Sequence, residues 1–170
     1  MRLISWEFND GGEIPRECGY KDENEPLPLG IKEIPDEAKS LALIMDDPDA
    51  MGAVGKVWVH WVVWHIIPEE NDYASGTRHD EIENLFMDRS EGTDRYYEGM
   101  TDFGEVGYGG PAPPDKRHTY IFTLYALDSE LDGLGKTSTK ADVLEAIAGD
   151  DDGGSHRLIE RTQLKGTYAP

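Results

Sequence analysis

Three short segments of the sequence carry side chains that could bind an anion or a metal ion. The motif "DDPD" contains Asp47, the apolar run "VWVHWVVWH" carries His60 at its centre, and "HTY" supplies His118 and Tyr120. Imidazole and phenol groups donate hydrogen bonds to phosphate or carboxylate oxygens, and two imidazoles with a carboxylate can also hold a metal ion. A buried imidazole without partners costs free energy, so His60 requires either a hydrogen-bonded core position or a site to serve.

Each of these segments lies in or beside a predicted β-strand. Apolar runs, β-branched content and alternation predict strands at residues 40–45, 57–67, 118–127 and 156–168. The period of two places His118 and Tyr120 on one face of their strand. The same period groups the run's even-numbered residues on one face, namely Trp58, His60, Val62 and Trp64.

The remaining segments predict peripheral helices and surface loops. Helical spacing over residues 140–148 follows a capping Thr139 or Ser138 and ends before Gly149. Residues 69–106 are polar and predict a long surface excursion, with a weak helical candidate at 81–88, whereas residues 107–114 form a Gly/Pro loop. We therefore predict one domain over residues 1–170: a mainly β protein, a β sandwich with a few peripheral helices.

The charge of the chain excludes two classes of partner. The net charge is −19, from 35 acidic and 16 basic residues spread along the sequence. Nucleic acids and anionic membrane surfaces would be repelled, so neither nucleic-acid binding nor stable membrane association is expected. An acidic surface of this kind is typical of proteins from salt-loving cells, and an ordinary acidic protein is the alternative. The single cysteine, Cys18, and the lack of an apolar leader or span predict a cytoplasmic protein.

The order of several segments resembles the phosphatidylethanolamine-binding protein family, in its bacterial and archaeal branch called Raf-kinase-inhibitor-like. The matching segments are "FNDGGEIP", "NEPLPL", "IPDEAKSLALIMDDPDA", "VWVHWVVWHIIP", "GYGGPAPPDKRHTYIFTLYALD", "ADVLEAIAG" and "LKGTY". Only residues 69–100 and the acidic insert at 150–154 are poorly covered. The insert is interpreted as a salt-adapted loop, since it lacks calcium-ligand spacing.

The resemblance implies a small anion-binding cavity at one end of a β sandwich. Its motifs assign the cavity to Asp47, His60, Gly110, Pro111, His118 and Tyr120, with support from Asp49, Trp58 and Pro113. A free glycine N–H of the loop would add a donor for the anion. Asp47 would either orient a histidine and favour its protonated form or receive the ammonium of an ethanolamine headgroup. The resemblance implies no cofactor and no required metal.

Two positions depart from the family motifs. Met51 stands where the family's DPDxP motif has its second proline, which predicts a looser or more apolar rim beside Asp49. Thr119 replaces the arginine of the His-Arg-Tyr motif and, by alternation, points away from His118. Arg117, on the same side as Thr119, is a candidate to compensate.

Three classes of function remain open. The first is a non-catalytic binding protein for phosphate, a phosphorylated metabolite or a phospholipid headgroup. The second is a regulator of a protein kinase or protease, acting through loops within residues 69–100. The third is a metal-dependent hydrolase using Asp47, His60 and His118. The resemblance also implies self-association as a homodimer.

Overall fold

The structure is a computed structural model that describes residues 1–68, 81–82, 96–149 and 157–170. In this part the chain forms the strands β1 (Arg2–Ser5), β2 (Gly12–Glu13), β3 (Leu29–Lys32), β4 (Ser40–Asp47), β5 (Trp58–Ile66), β6 (Glu81–Ile82), β7 (Tyr97–Glu98), β8 (His118–Leu127) and β9 (Leu158–Tyr168). It also forms the helices α1 (Ala50–Val54) and α2 (Lys140–Ala148), with one 3-10 turn at Arg16–Cys18. None of the helices described is both long and apolar enough to cross a membrane.

The strands form two open sheets, so the chain is mainly β. The larger sheet has the order β2-β9-β8-β4-β5-β7, and the smaller has the order β1-β3-β6. Neighbouring strands are antiparallel except for β2 and β9. The four predicted strands correspond to β4, β5, β8 and β9, and the predicted helix corresponds to α2.

Alternation along β4 divides the core between the two faces of the larger sheet. Leu41, Leu43 and Met45 belong to one buried cluster, which also contains residues of β3 from the smaller sheet. Ala42 and Ile44 belong to a second cluster, which α2 covers. Helix α2 begins at a capping box between Thr139 and Asp142, as the sequence predicts for Thr139.

A β-bulge at His60 overturns the predicted division of faces along β5. Met45 pairs with Trp61 while the next residue, Asp46, pairs with Val59, so His60 is an extra residue between them. Val62 and Trp64 pack in the second cluster with Val59. The ring of His60 instead lies against Tyr120 of the first cluster, because the bulge shifts the period of two by one residue.

Some residues of the segment 69–106, which the sequence predicts as a surface excursion, pair with the sheets. Glu81–Ile82 forms a strand paired with β3, so the helical candidate is wrong at these two residues, and the rest of it lies outside the described residues. Thr101 is buried, and the N–H of Asp102 donates to the carbonyl of Val59. Tertiary pairing therefore draws part of this polar segment onto the sheet.

Candidate functional site

His118, the first residue of β8, is enclosed by two carboxylates. Its Nδ1 lies 2.6 Å from Oδ2 of Asp47, and its Nε2 lies 2.9 Å from Oδ1 of Asp115. Burial works to lower the pKa of His118, but the hydrogen bonds and charges of both carboxylates outweigh it and raise that pKa. Both ring nitrogens of His118 thus face carboxylates, an arrangement that favours the imidazolium and leaves neither nitrogen for an anion.

Asp47 and Asp49 connect the end of β4 to its surroundings. Asp47 accepts through Oδ2 from His118 and through Oδ1 from the N–H of Ala50, 3.1 Å away at the start of α1. Oδ2 of Asp49 accepts from the N–H of Thr119 at 2.8 Å. The predicted role of Asp47 in orienting a histidine thus matches the geometry, and the histidine concerned is His118.

His60 is buried and differs from His118 in its partners. Its Nδ1 lies 2.7 Å from the carbonyl oxygen of Gly109 and 3.0 Å from that of Gly110. Carbonyl oxygens only accept, so Nδ1 carries the proton and Nε2 is the remaining ring nitrogen. Burial lowers the pKa of His60, against smaller opposing contributions from the loop carbonyls and the Asp47 and Asp102 charges. Burial thus favours the neutral ring, in which Nε2 is an acceptor.

The loop that receives His60 is fixed by Asn24. Oδ1 of Asn24 accepts from the N–H of Gly110 at 2.8 Å, and its Nδ2 donates to the carbonyl of Tyr108. The N–H of Gly109 donates to the carbonyl of His60. The expected free glycine N–H is therefore wrong for both glycines, because protein acceptors already use these donors.

Gly110 is required by close packing. A Cβ at this position would lie 2.0 Å from the carbonyl oxygen of Cys18. The next residue, Pro111, is buried and accepts at its carbonyl from the N–H of Tyr20. These two predicted site residues shape the loop and do not line the cavity beside it.

A cavity of about 180 Å³ lies beside His60. Its polar wall is formed by Asp47, Trp58 and His60. The rest of its wall is apolar and is formed by Ala50, Ala53, Val54, Phe103, Ala112 and Pro114. The predicted residues Asp47, His60 and Trp58 thus meet at one hollow, whereas His118 and Tyr120 stand behind its wall.

The buried donors of Trp58 and Tyr120 differ in their surroundings. Within the described residues, Nε1 of Trp58 has no hydrogen-bond partner, whereas the Tyr120 hydroxyl lies beside the Asp47 carboxylate and the backbone of Ala112. Burial, and then the Asp47 charge, raise the pKa of Tyr120, so its hydroxyl keeps the proton. Buried donors without partners are uncommon and costly. Nε1 of Trp58, whose side chain lines the cavity, is therefore a candidate to donate to a ligand.

The residues named for a metal site do not form one. In the described ranges, no group of three or more His, Cys, Asp or Glu side chains is placed to hold a metal ion. Asp115 and Asp47 occupy both nitrogens of His118, and loop carbonyls occupy Nδ1 of His60. The hydrolase hypothesis stays a prediction, without a metal-ligand group among the described residues.

The family model for phosphatidylethanolamine-binding proteins matches residues 4–168. The chain belongs to the phosphatidylethanolamine-binding protein family. It is 43% identical over 149 residues to a UPF0098 protein of Methanothermobacter thermautotrophicus, covering 88% of this chain and 90% of the relative. It is 34% identical over 173 residues to a UPF0098 protein of Chlamydia muridarum, covering 99% and 98% respectively.

Solved structures of the phosphatidylethanolamine-binding protein family share the fold. One is a homolog from Chlamydia trachomatis, with a TM-score of 0.73, 32% identity, and coverage of 98% of this chain and 95% of that one. Another is YbcL of E. coli, described as a new member of the mammalian family, with a TM-score of 0.75 and 24% identity. That match covers 98% of this chain and 96% of YbcL and shows the fold alone.

The two departures from the family motifs have distinct surroundings. Met51 lies in α1 with 53% of its surface exposed, so the rim beside Asp49 is apolar at this point. Arg117, the candidate to compensate for Thr119, donates to Thr167 and forms an ion pair with Glu13, away from His118. The structure thus gives Arg117 a contact with β9 and β2 and no contact with the site.

Sequence reasoning missed four contributors to the site. Asp115 and Asn24 supply hydrogen bonds, Phe103 supplies an aromatic wall, and α1 supplies an apolar face. Asn24 could have been identified from the sequence, because it is the first residue of the matched segment "NEPLPL". Asp115 lies three residues before His118, a spacing that carries no strand signal.

Proposed function

We propose that this member of the family is a non-catalytic binding protein. Its cavity would hold a small anionic group: a phosphate, a phosphorylated metabolite or a phospholipid headgroup. The observation that supports this most is the buried ring of His60, which lines the cavity and has Nδ1 bound to the loop, so that Nε2 is left for a ligand. The unpartnered Nε1 atom belongs to Trp58, which lines the same cavity.

The chemistry of binding follows from the lowered pKa of His60, which favours its neutral form. An anion that carries its own proton can donate it to Nε2, and a fully ionised anion can bind only if His60 takes up a proton and donates from Nε2. In both cases the complex holds one more proton than the free ionised partners. Binding should therefore tighten as the pH falls toward the lowered pKa of His60.

Calorimetric titration with sulfate at fixed ionic strength tests this proposal, because the charge of sulfate does not change between pH 5 and 8. We expect the affinity to rise as the pH falls, and the His60→Gln variant to lose that dependence. His65→Gln is the matched control, since His65 lies on the same strand and pairs with Glu130. Absence of anion binding, or binding that His60→Gln leaves unchanged, contradicts the proposal.

The remaining expectations concern the sandwich architecture, a protein partner, the cellular location and the oligomeric state. The β sandwich is supported by the first core cluster, which contains residues of both sheets. Regulation of a kinase or protease remains a prediction, because most of residues 69–100 lie outside the described part. A cytoplasmic location and a homodimer also remain predictions.

A further inference from the structure

A second cavity, of about 400 Å³, lies between the start of α2 and the start of β5, and we call it the α2 cavity. Its apolar wall is formed by Val57, Val59, Met100, Ala141 and Leu144. Val59 and Leu144 pack against the second core cluster, so the α2 cavity lies on the face of the larger sheet opposite the ring of His60. Its volume is in the range of roughly 300–1,000 Å³ that is typical of small-molecule sites.

The carboxylate in the wall of the α2 cavity already has partners on both oxygens. Asp102 accepts through Oδ1 from Nζ of Lys56 at 2.7 Å and through Oδ2 from the N–H of Val59 at 2.8 Å. The neighbouring hydroxyl of Thr101 donates to the carbonyl of Glu105 at 2.9 Å. A cationic ligand would therefore have to displace Lys56 from this carboxylate.

Lys140 is the hydrogen-bond donor in the wall of the α2 cavity with capacity left for a ligand. Within the described residues, its Nζ donates only to Oδ2 of Asp46, 2.6 Å away. An ammonium group has three hydrogens, so two remain. Asp46 is a poorly stabilised counter-ion: its Oδ1 is buried without a partner in the described ranges, and burial raises its pKa against the hydrogen bond and charge of Lys140.

The charges around the α2 cavity favour a ligand with a single negative charge. Lys56 and Lys140 balance Asp46 and Asp102, so a monoanion meets no net charge from these four groups. A dianion would meet more repulsion from a protein of net charge −19. An ammonium forms stronger hydrogen bonds with a carboxylate than with a neutral acceptor, and the apolar wall favours a hydrocarbon chain.

We propose that the α2 cavity is a second binding site, whose ligand is an aliphatic monocarboxylate. The carboxylate accepts from the ammonium of Lys140, and the chain packs against Val57, Met100 and Leu144. The site is separate from the cavity beside His60 and does not depend on the function proposed there.

Calorimetric titration with hexanoate at pH 7, where its carboxyl group is ionised, tests this inference. We expect hexanoate to bind at least about tenfold more tightly than acetate, which lacks the chain, and than hexanamide, which lacks the charge. Absence of hexanoate binding, or equal affinity for either comparison compound, overturns the inference.

Two variants test the assigned contacts. Lys140→Met should weaken hexanoate binding about tenfold, whereas Lys136→Met, at an exposed lysine outside the lining, should leave it unchanged. Lys140→Met leaves Asp46 without its ion-pair partner, so Val57→Ser supplies a second test at a side chain that is 36% exposed. Val57→Ser should weaken hexanoate binding severalfold, and equal affinities in Lys140→Met and Lys136→Met overturn the inference.

The His60→Gln variant distinguishes the α2 cavity from the cavity beside His60. Hexanoate binding should be unchanged in His60→Gln, because His60 lies on the other face of the sheet. Loss of hexanoate binding in this variant would assign the carboxylate to the cavity beside His60 and overturn the inference. Sulfate binding in Lys140→Met should equal that of the unaltered protein, so that failure of either proposal is recognised separately.

Discussion

The pKa values of the two histidines of the site shift in opposite directions, because their surroundings differ. His118 meets the carboxylates of Asp47 and Asp115, and its pKa is raised. His60 meets the carbonyls of Gly109 and Gly110, and its burial lowers its pKa. His118 is thus tied to Asp47 of the cavity wall, while His60 lines the cavity with its Nδ1 bound to the loop.

Replacing Asp115 by Asn should lower the pKa of His118, because one of the two carboxylates that favour its charged form is removed. An NMR titration of the imidazole measures this directly. Asp132→Asn, in the connection between β8 and α2, is the control for a general loss of one negative charge. An unchanged His118 pKa in Asp115→Asn contradicts the assigned contact.

The raised pKa of His118 makes the free energy of unfolding depend on pH. The pKa of His118 in the folded state lies above its unfolded value of about 6.5. Its contribution to the free energy of unfolding is fully present below about pH 6.5 and is lost as the pH rises through the raised pKa. Urea denaturation of the unaltered protein at several pH values above about 6.5 should show this loss. The His118→Gln variant should not show it.

The longer strands and helix α2 could be predicted from the sequence, because each contains several residues with a regular hydrophobic pattern. The apolar runs predicted β4 and β5, alternation predicted β8, and capping with helical spacing predicted α2. The short strands β2, β6 and β7 have two residues each and carry no period. Helix α1, with five residues, is too short to show one. The bulge at His60 escaped prediction because it depends on pairing with β4.

The Gly/Pro loop should not tolerate a side chain at Gly110. Its Cβ would meet the carbonyl of Cys18 and the backbone nitrogen of Tyr20, so Gly110→Ala should lower the free energy of unfolding by about 1–3 kcal/mol. It should also weaken sulfate binding, because the carbonyls that orient His60 would move. Gly52→Ala in α1 is the control, since nothing lies within 4 Å of its Cβ position. Equal stability of the two variants would show that the loop is not tightly packed.

The net charge of −19 should make folding stability depend on salt. The Debye length falls from about 10 Å at 0.1 M salt to about 3 Å at 1 M, which screens repulsion across the acidic surface. We expect the midpoint of thermal unfolding to rise as potassium chloride increases from 0.1 to 2 M. A midpoint that stays constant or falls would contradict adaptation of this surface to high salt.

The resemblance to the family named residues from distant segments that lie around one cavity, but it did not separate residues that line the cavity from residues behind its wall. His118, Tyr120, Gly110 and Pro111 support the wall, while Asp47, Trp58 and His60 line it. That division depends on hydrogen bonds to Asn24 and Asp115, which lie outside the motif positions carried over. Side-chain partners brought together by folding therefore decide which motif residues can touch a ligand.

A crystal structure of the protein grown with phosphate at pH 5.5 tests the central claim most directly. We predict an anion in the cavity within hydrogen-bond distance of Nε2 of His60, with Nε1 of Trp58 turned toward it. A cavity without the anion, or phosphate bound only elsewhere on the surface, would contradict the account.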